Sequence, residues 1–283
     1  MTALLAPTPA AARTWARGEL ARAGCVSAAA EARWLLEEAL GGPPPGRAPL
    51  PAAAWRRLEQ LVARRGAGEP LQYVIGWAPF GPLRLKVGPG VFVPRPETEG
   101  LAERAAVRLR AAPGPRPVAV DLCTGCGAIA CYLAAEVPAA RVLATELDPG
   151  ALAWARRNTA AHGVELLAGD LDAPLPAALA GQVAVLAANV PYVPTAAIAT
   201  LPRDVRDHEP RLALDGGPDG LDVVRRLAGA AGRWLAPGGH LLAEVGEDQA
   251  AAAAELLAAA GLADLQILPD LVGRDRVVEG RRP

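Results

Sequence analysis

Two stretches of the chain carry residue types that can do chemistry. The first, VDLCTGCGAIA, leaves an apolar run at Asp121 and passes through Cys123, Thr124, Gly125, Cys126 and Gly127 into a helical pattern. Such a turn presents free backbone N–H groups and the positive end of a helix dipole to a ligand. It lacks the full G-x-G-x-x-G, since Ala130 takes the last place. Glu146, about 20 residues further on and closing the next apolar run, stands where a carboxylate accepts both hydroxyls of a ribose. The second stretch, LAANVPYVP, ends an apolar run in Asn189, Val190, Pro191 and Tyr192. Asn189 offers a side-chain oxygen and residue 190 a main-chain carbonyl, two acceptors for one NH2 group, and the Tyr192 ring can lie against a planar acceptor. An amide or exocyclic amine is a poor nucleophile, so holding it in line with a methyl donor matters more than a strong base.

A ribose-binding acid fits a nicotinamide dinucleotide or S-adenosyl-L-methionine. A pyrophosphate favours the complete glycine fingerprint and few acids nearby, whereas a sulfonium and an ammonium favour Asp121. S-adenosyl-L-methionine is therefore the expected cofactor. Asp170, at the end of a third apolar run, reads equally as an adenine contact or a loop cap. Cys123 and Cys126 form C-x-x-C, but there is no second such pair and His162, His208 and His240 are scattered, so no metal site is expected.

The elements that position these residues follow from periodicity. Residues 1–68 read as helices, AARTWARGELARAG, then SAAAEARWLLEEALGG capped by Ser27, then PAAAWRRLEQLVARRGAG with Pro51 near its first turn, and Trp15, Trp34 and Trp55 on their apolar stripes. Residues 69–95 carry short β-type runs broken by Gly and Pro, a hairpin connector. Residues 96–283 form the third division, and from 117 strands alternate with helices, as in a doubly wound parallel sheet whose fourth strand lies beside the first. That arrangement would turn Asn189 toward the glycine loop. The helix opening at DPGALAWARRNTAAHG is expected to start on Asp148 and end at Gly163.

With 29 basic and 30 acidic residues among 283 the net charge is -1, so no whole-molecule field draws the chain to nucleic acid or anionic membrane, though a local basic patch stays open. No run of about 18 apolar residues and no secretory pattern is present, so a cytoplasmic protein without membrane attachment is expected.

The ordered set EPLQYVIG, PGVFVPRPETE, DLCTGCGAIA, ANVPY, EPRLALDGGPDGL, LLAEVGEDQ and GRDRVV resembles the protein-(glutamine-N5) methyltransferases that modify the Gly-Gly-Gln glutamine of peptide chain release factors. The resemblance implies an α/β, Rossmann-like class I methyltransferase fold with a small helical N-terminal domain, and a release factor or another glutamine-bearing protein as partner of a monomer. It implies that Cys123 to Gly127 and Glu146 hold S-adenosyl-L-methionine, with Asp170 and Leu171 near the adenine, and that Asn189, Pro191 and Tyr192 hold the glutamine amide. Arg95 and Glu97 would border the site or fasten the segment between domains as an ion pair. Glu209 and Arg211 read as loop-ordering residues. The family loop usually begins with Gly where this chain has Cys123, and its tetrapeptide is usually Asn-Pro-Pro-Tyr. Val190 keeps the carbonyl and adds an N–H, which opens the question of substrate preference. Two alternatives remain: an adenine-N6 methyltransferase on DNA or RNA, and a non-catalytic cofactor-binding module.

Overall fold

The computed structural model describes residues 6–44, 46–270 and 272–283. The chain forms two compact units, Met1–Trp77 with Pro202–His208, and Ala78–Leu201 with Glu209–Pro283. In the first unit, α1 (Pro9–Arg22), α2 (Ala28–Leu40), α3 (Ala52–Gly66) and the short α4 (Leu71–Ile75) enclose Leu20, Leu35 and Leu58. Thr8 caps α1, with Pro9 at its first position. Ser27 makes no side-chain cap; only its carbonyl accepts, from Glu31 N. Trp15 packs edge-on against Trp55 and Trp34 stacks on Trp77, which keeps all three predicted stripe residues in the packing of this unit. The LQYVI segment, expected among β-type runs, is a helical turn between Pro70 and a left-handed Gly76.

The second unit begins with a hairpin of β1 (Trp77–Phe80) and β2 (Leu83–Lys86), followed by α5 (Glu97–Ala111), a helix the periodicity reading passed over. Then β3 (Val118–Leu122), α6 (Ala128–Glu136), β4 (Arg141–Glu146), α7 (Pro149–Thr159), β5 (Glu165–Ala168) and β6 (Val183–Asn189) alternate as expected. Asp148 caps α7 by accepting from Gly150 N, and the helix ends at Thr159, short of Gly163. After β6 the chain visits the first unit with α8 (Arg203–Arg206), where Arg65, paired with Glu31, stands 3.5 Å from Asp204. It returns for α9 (Asp222–Trp234), β7 (Leu235–Glu244), α10 (Ala250–Ala259), β8 (Ala263–Pro269) and β9 (Asp275–Arg281).

The sheet order is β5-β4-β3-β6-β7-β9-β8. The first five strands are parallel, as the alternation implied, and β9 runs antiparallel to both β7 and β8, which makes the sheet mixed at that edge. Its strands are apolar on both faces because helices cover both; α9, for example, buries Val224, Leu227, Ala231 and Trp234 and turns Arg225, Arg226 and Arg233 to solvent. The fourth parallel strand lies beside the first, with Leu122 opposite Ala188. Their carboxyl ends bring the glycine loop and the tetrapeptide to one edge.

The hairpin, expected as a connector between domains, is fastened to the second unit. Asn158 accepts from Lys86 N at 2.8 Å and donates to Lys86 O at 3.0 Å and to Cys126 O at 2.8 Å. Trp154 Nε1 donates to Pro89 O. These bonds explain why the units divide at Trp77 and not within a linker.

Candidate active site

The glycine loop is held from below by Asp121, which is fully buried. Its Oδ2 accepts from Thr124 Oγ1 and from Ala130 N, while Oδ1 has no partner among the described residues. Burial pushes its carboxyl up to about 7, against the opposing pull of those two donors. Thr124 thus points at Asp121 and braces the loop. Glu146 closes β4 and receives three backbone donors: Gly125 N at 2.8 Å on one oxygen, Leu147 N and Asp148 N at 2.9 Å on the other. Burial raises its carboxyl, and the same three N–H groups oppose that rise. Because Gly125 N–H already donates to a carboxylate, this loop suits a cationic nucleoside and would repel a diphosphate.

The thiols of Cys123, Cys126 and Cys131 are each pushed up to about 12, chiefly by burial. They are protonated at neutral pH and act as small packing groups, since the thiolate is the reactive form. Among the described residues no cluster of His, Cys, Asp and Glu has metal-binding form. Asp170 pairs with Arg226 at 2.8 Å, both about half exposed. Leu171, at φ 49, is buried in the main core cluster. Its side chain serves packing, so only its backbone is available to a ligand.

Asn189 ends β6 with its Nδ2 donating to Thr98 Oγ1 at 3.0 Å. No donor among the described residues reaches its Oδ1, which remains an open acceptor. The Val190 side chain is buried in the core with Leu221, Val224 and Val245. It therefore cannot touch a substrate; what position 190 can offer a ligand is its main chain. Tyr192 Oη donates to Glu244 Oε1 at 3.5 Å, and burial pushes its phenol up to about 12. Gln249 Nε2 donates to Tyr192 O at 2.8 Å and Asp219 O at 3.0 Å. Val193 pairs with the 214–216 segment, donating to Leu214 O and accepting from Gly216 N. The EPRLALDGG loop thus splints the backbone just after the tetrapeptide.

Arg95 Nη2 donates to both oxygens of Glu209 at 2.7 Å, and Val93 N adds a third donor to that buried carboxylate. Arg95 also lies over the Phe92 ring. Glu97 pairs with Arg274 at 3.0 Å, and Arg211 with Asp215 at 3.0 Å. Arg95 and Glu97 thus each form an ion pair with a partner outside the tetrapeptide.

The family description "PrmC N-terminal domain" matches residues 11–76, and "Methyltransferase domain" matches residues 119–208. Proteins named release factor glutamine methyltransferase from Geobacter sulfurreducens and Deinococcus radiodurans are each 41% identical, covering 94% and 95% of this chain and 94% and 96% of their own length. The chain belongs to the release factor glutamine methyltransferase family. A third member, from Moorella thermoacetica, is 48% identical over 80% of both chains. Among solved structures, the catalytic domain of human Mettl16 in complex with an RNA hairpin superposes with a TM-score of 0.53 at 16% identity, over 78% of this chain and 81% of that one. A methyltransferase from Pyrococcus furiosus gives 0.50 at 20% identity over 71% and 89%. Both share the fold.

Within this family frame, S-adenosyl-L-methionine is the methyl donor, and the site's residues fit it. Glu146 can face its ribose, and the unpartnered oxygen of Asp121 adds negative character under the loop. Three residues that motif reading missed stand directly behind the tetrapeptide: Thr98, Glu244 and Gln249. Glu244 was readable only through the sheet, since it lies opposite Asn189 on the neighbouring strand.

Proposed function

We propose that this family member methylates the side-chain amide nitrogen of a protein glutamine, in the Gly-Gly-Gln motif of a peptide chain release factor, working as a cytoplasmic monomer. The observation that carries the reading is the open Oδ1 of Asn189, its other end tied to Thr98, at the mouth of the sheet beside the glycine loop. S-adenosyl-L-methionine supplies an electrophilic methyl group on a sulfonium. Asn189 Oδ1 and the carbonyl at 190 accept the two N–H groups of the glutamine amide and aim its nitrogen. Tyr192, whose phenol burial pushes still further from ionising, lends a flat face to the amide plane. As the amide nitrogen bonds the methyl carbon, the sulfonium S–CH3 bond would break to leave the neutral thioether S-adenosylhomocysteine, and the nitrogen would lose one proton to solvent.

The buried Val190 side chain supports an unchanged glutamine pocket despite the missing proline. An adenine amine would present a similar NH2 group, but the chain's net charge of -1 supplies no overall field that favours nucleic acid. The test is labelled S-adenosyl-L-methionine offered with release factor, its Gln→Asn variant, RNA and DNA. Label only in the unmodified release factor supports the reading; label in nucleic acid overturns it.

A further inference from the structure

Asn189 acts as an acceptor only if its amide is turned the right way. The oxygen and nitrogen ends have nearly the same shape, so their neighbours decide the orientation. Thr98, in the first turn of α5, accepts from Asn189 Nδ2 at 3.0 Å. A hydroxyl that accepts from one partner is free to donate its own proton to another. Glu244, 1% exposed, stands opposite Asn189 in the β6–β7 register, and the Thr98 hydroxyl is among the groups that pull its carboxyl down. Its Oε1 receives Tyr192 Oη, and its buried Oε2 has no hydrogen-bond partner among the described residues.

We propose that Thr98 and Glu244 are positioning residues that set which end of the Asn189 amide faces the glutamine. With Glu244 ionised, the Thr98 proton is drawn to the carboxylate, the Thr98 lone pairs face Asn189, and the amide presents Oδ1 to the substrate. With Glu244 protonated, its O–H can donate to Thr98, whose own proton then turns to Asn189. The amide rotates and offers Nδ2 to an NH2 group that needs an acceptor. The inference rests on the glutamine-methylation reading and deepens it, because an acceptor clamp is what makes the orientation matter.

The surroundings place the titration in an accessible range. Burial pushes the Glu244 carboxyl up to about 7; Thr98, Arg276 and Tyr192 pull it down, and Glu97 pushes it up. The charge of Arg276 acts on it from β9 and that of Glu97, itself paired with Arg274, from α5, while Arg95 acts on Tyr192. The rate of methyl transfer is then expected to fall as pH drops through about 7, on the side where Glu244 gains its proton.

The test uses the whole protein with release factor and labelled S-adenosyl-L-methionine, in four forms: parent, Thr98→Val, Thr98→Ser and Glu244→Gln. Thr98→Val, similar in volume but without the hydroxyl, should lower kcat roughly ten- to a hundredfold with cofactor Kd unchanged, and Thr98→Ser should restore most of it. Glu244→Gln should lose the acidic limb of the pH–rate profile that the parent shows. Parent-like kcat in Thr98→Val, failure of Thr98→Ser to restore it, or an acidic limb that survives in Glu244→Gln overturns the relay while glutamine methylation stands. A parent that labels no glutamine overturns both.

Discussion

Replacing Gly220 by alanine tests how tightly the loop after α8 splints the tetrapeptide. Gly220 sits at φ +78, and a Cβ there would come within 2.2 Å of both Tyr192 O and Gln249 Nε2. The left-handed backbone alone costs a non-glycine residue about 1–2 kcal/mol. Relieving the overlap by shifting backbone adds about 1–3 kcal/mol, and losing the Gln249 bond to Tyr192 O about 1 kcal/mol. Together the loss is roughly 3–6 kcal/mol, a large share of the stability of a typical domain. Gly163→Ala is the matched control: its φ is +68, but nothing lies within 4 Å of the added carbon, so only the backbone cost of about 1–2 kcal/mol applies. Urea unfolding of both variants measures the difference, and Gly220→Ala should also lose turnover because the Tyr192 carbonyl moves. Equal unfolding midpoints for the two variants would refute the splint.

Three further outcomes are expected. Asn189→Ala should bind cofactor like the parent while turnover falls by roughly a hundredfold, checked by calorimetry beside single-turnover methylation. Glu146→Gln should weaken cofactor binding by roughly ten- to a hundredfold, since three backbone donors and a ribose lose their shared charged acceptor; titration of the free protein measures it. Asp121 is raised from 3.8 to about 7, so the folded state binds its proton more tightly than the unfolded chain. The stability it contributes is fully present below pH 3.8 and is lost as pH rises through about 7. Asp121→Asn should therefore flatten the decline of unfolding free energy across that window, as read from denaturant midpoints at successive pH values.

The alternation of β3 to β6 with helices was readable because buried parallel strands are continuous apolar runs and their helices keep a separate period. For the same reason the meeting of the glycine loop with Asn189 could be inferred from topology before any side chain was seen. What escaped is physical in origin. The α5 helix follows directly on PRPETE, so its first turn read as connector, and Thr98 carries no spacing that marks it. Glu244 and Asn189 are 55 positions apart and meet only through the β6–β7 register. The antiparallel β8–β9 pair looks in sequence like any two short strands, because direction is set by pairing and not by residue type. At Val190 the departure from the family tetrapeptide bears on the main chain, where an N–H is added, while the side chain itself is buried in the core.

The most direct measurement is site mapping of the product. Release factor incubated with this enzyme and S-adenosyl-L-methionine is digested, and the peptide carrying Gly-Gly-Gln is sequenced by mass spectrometry. The account predicts one added methyl group on the glutamine side-chain amide, absent when Asn189→Ala replaces the parent. A methyl group on any other residue, or none on that glutamine while nucleic acid is labelled, would contradict it.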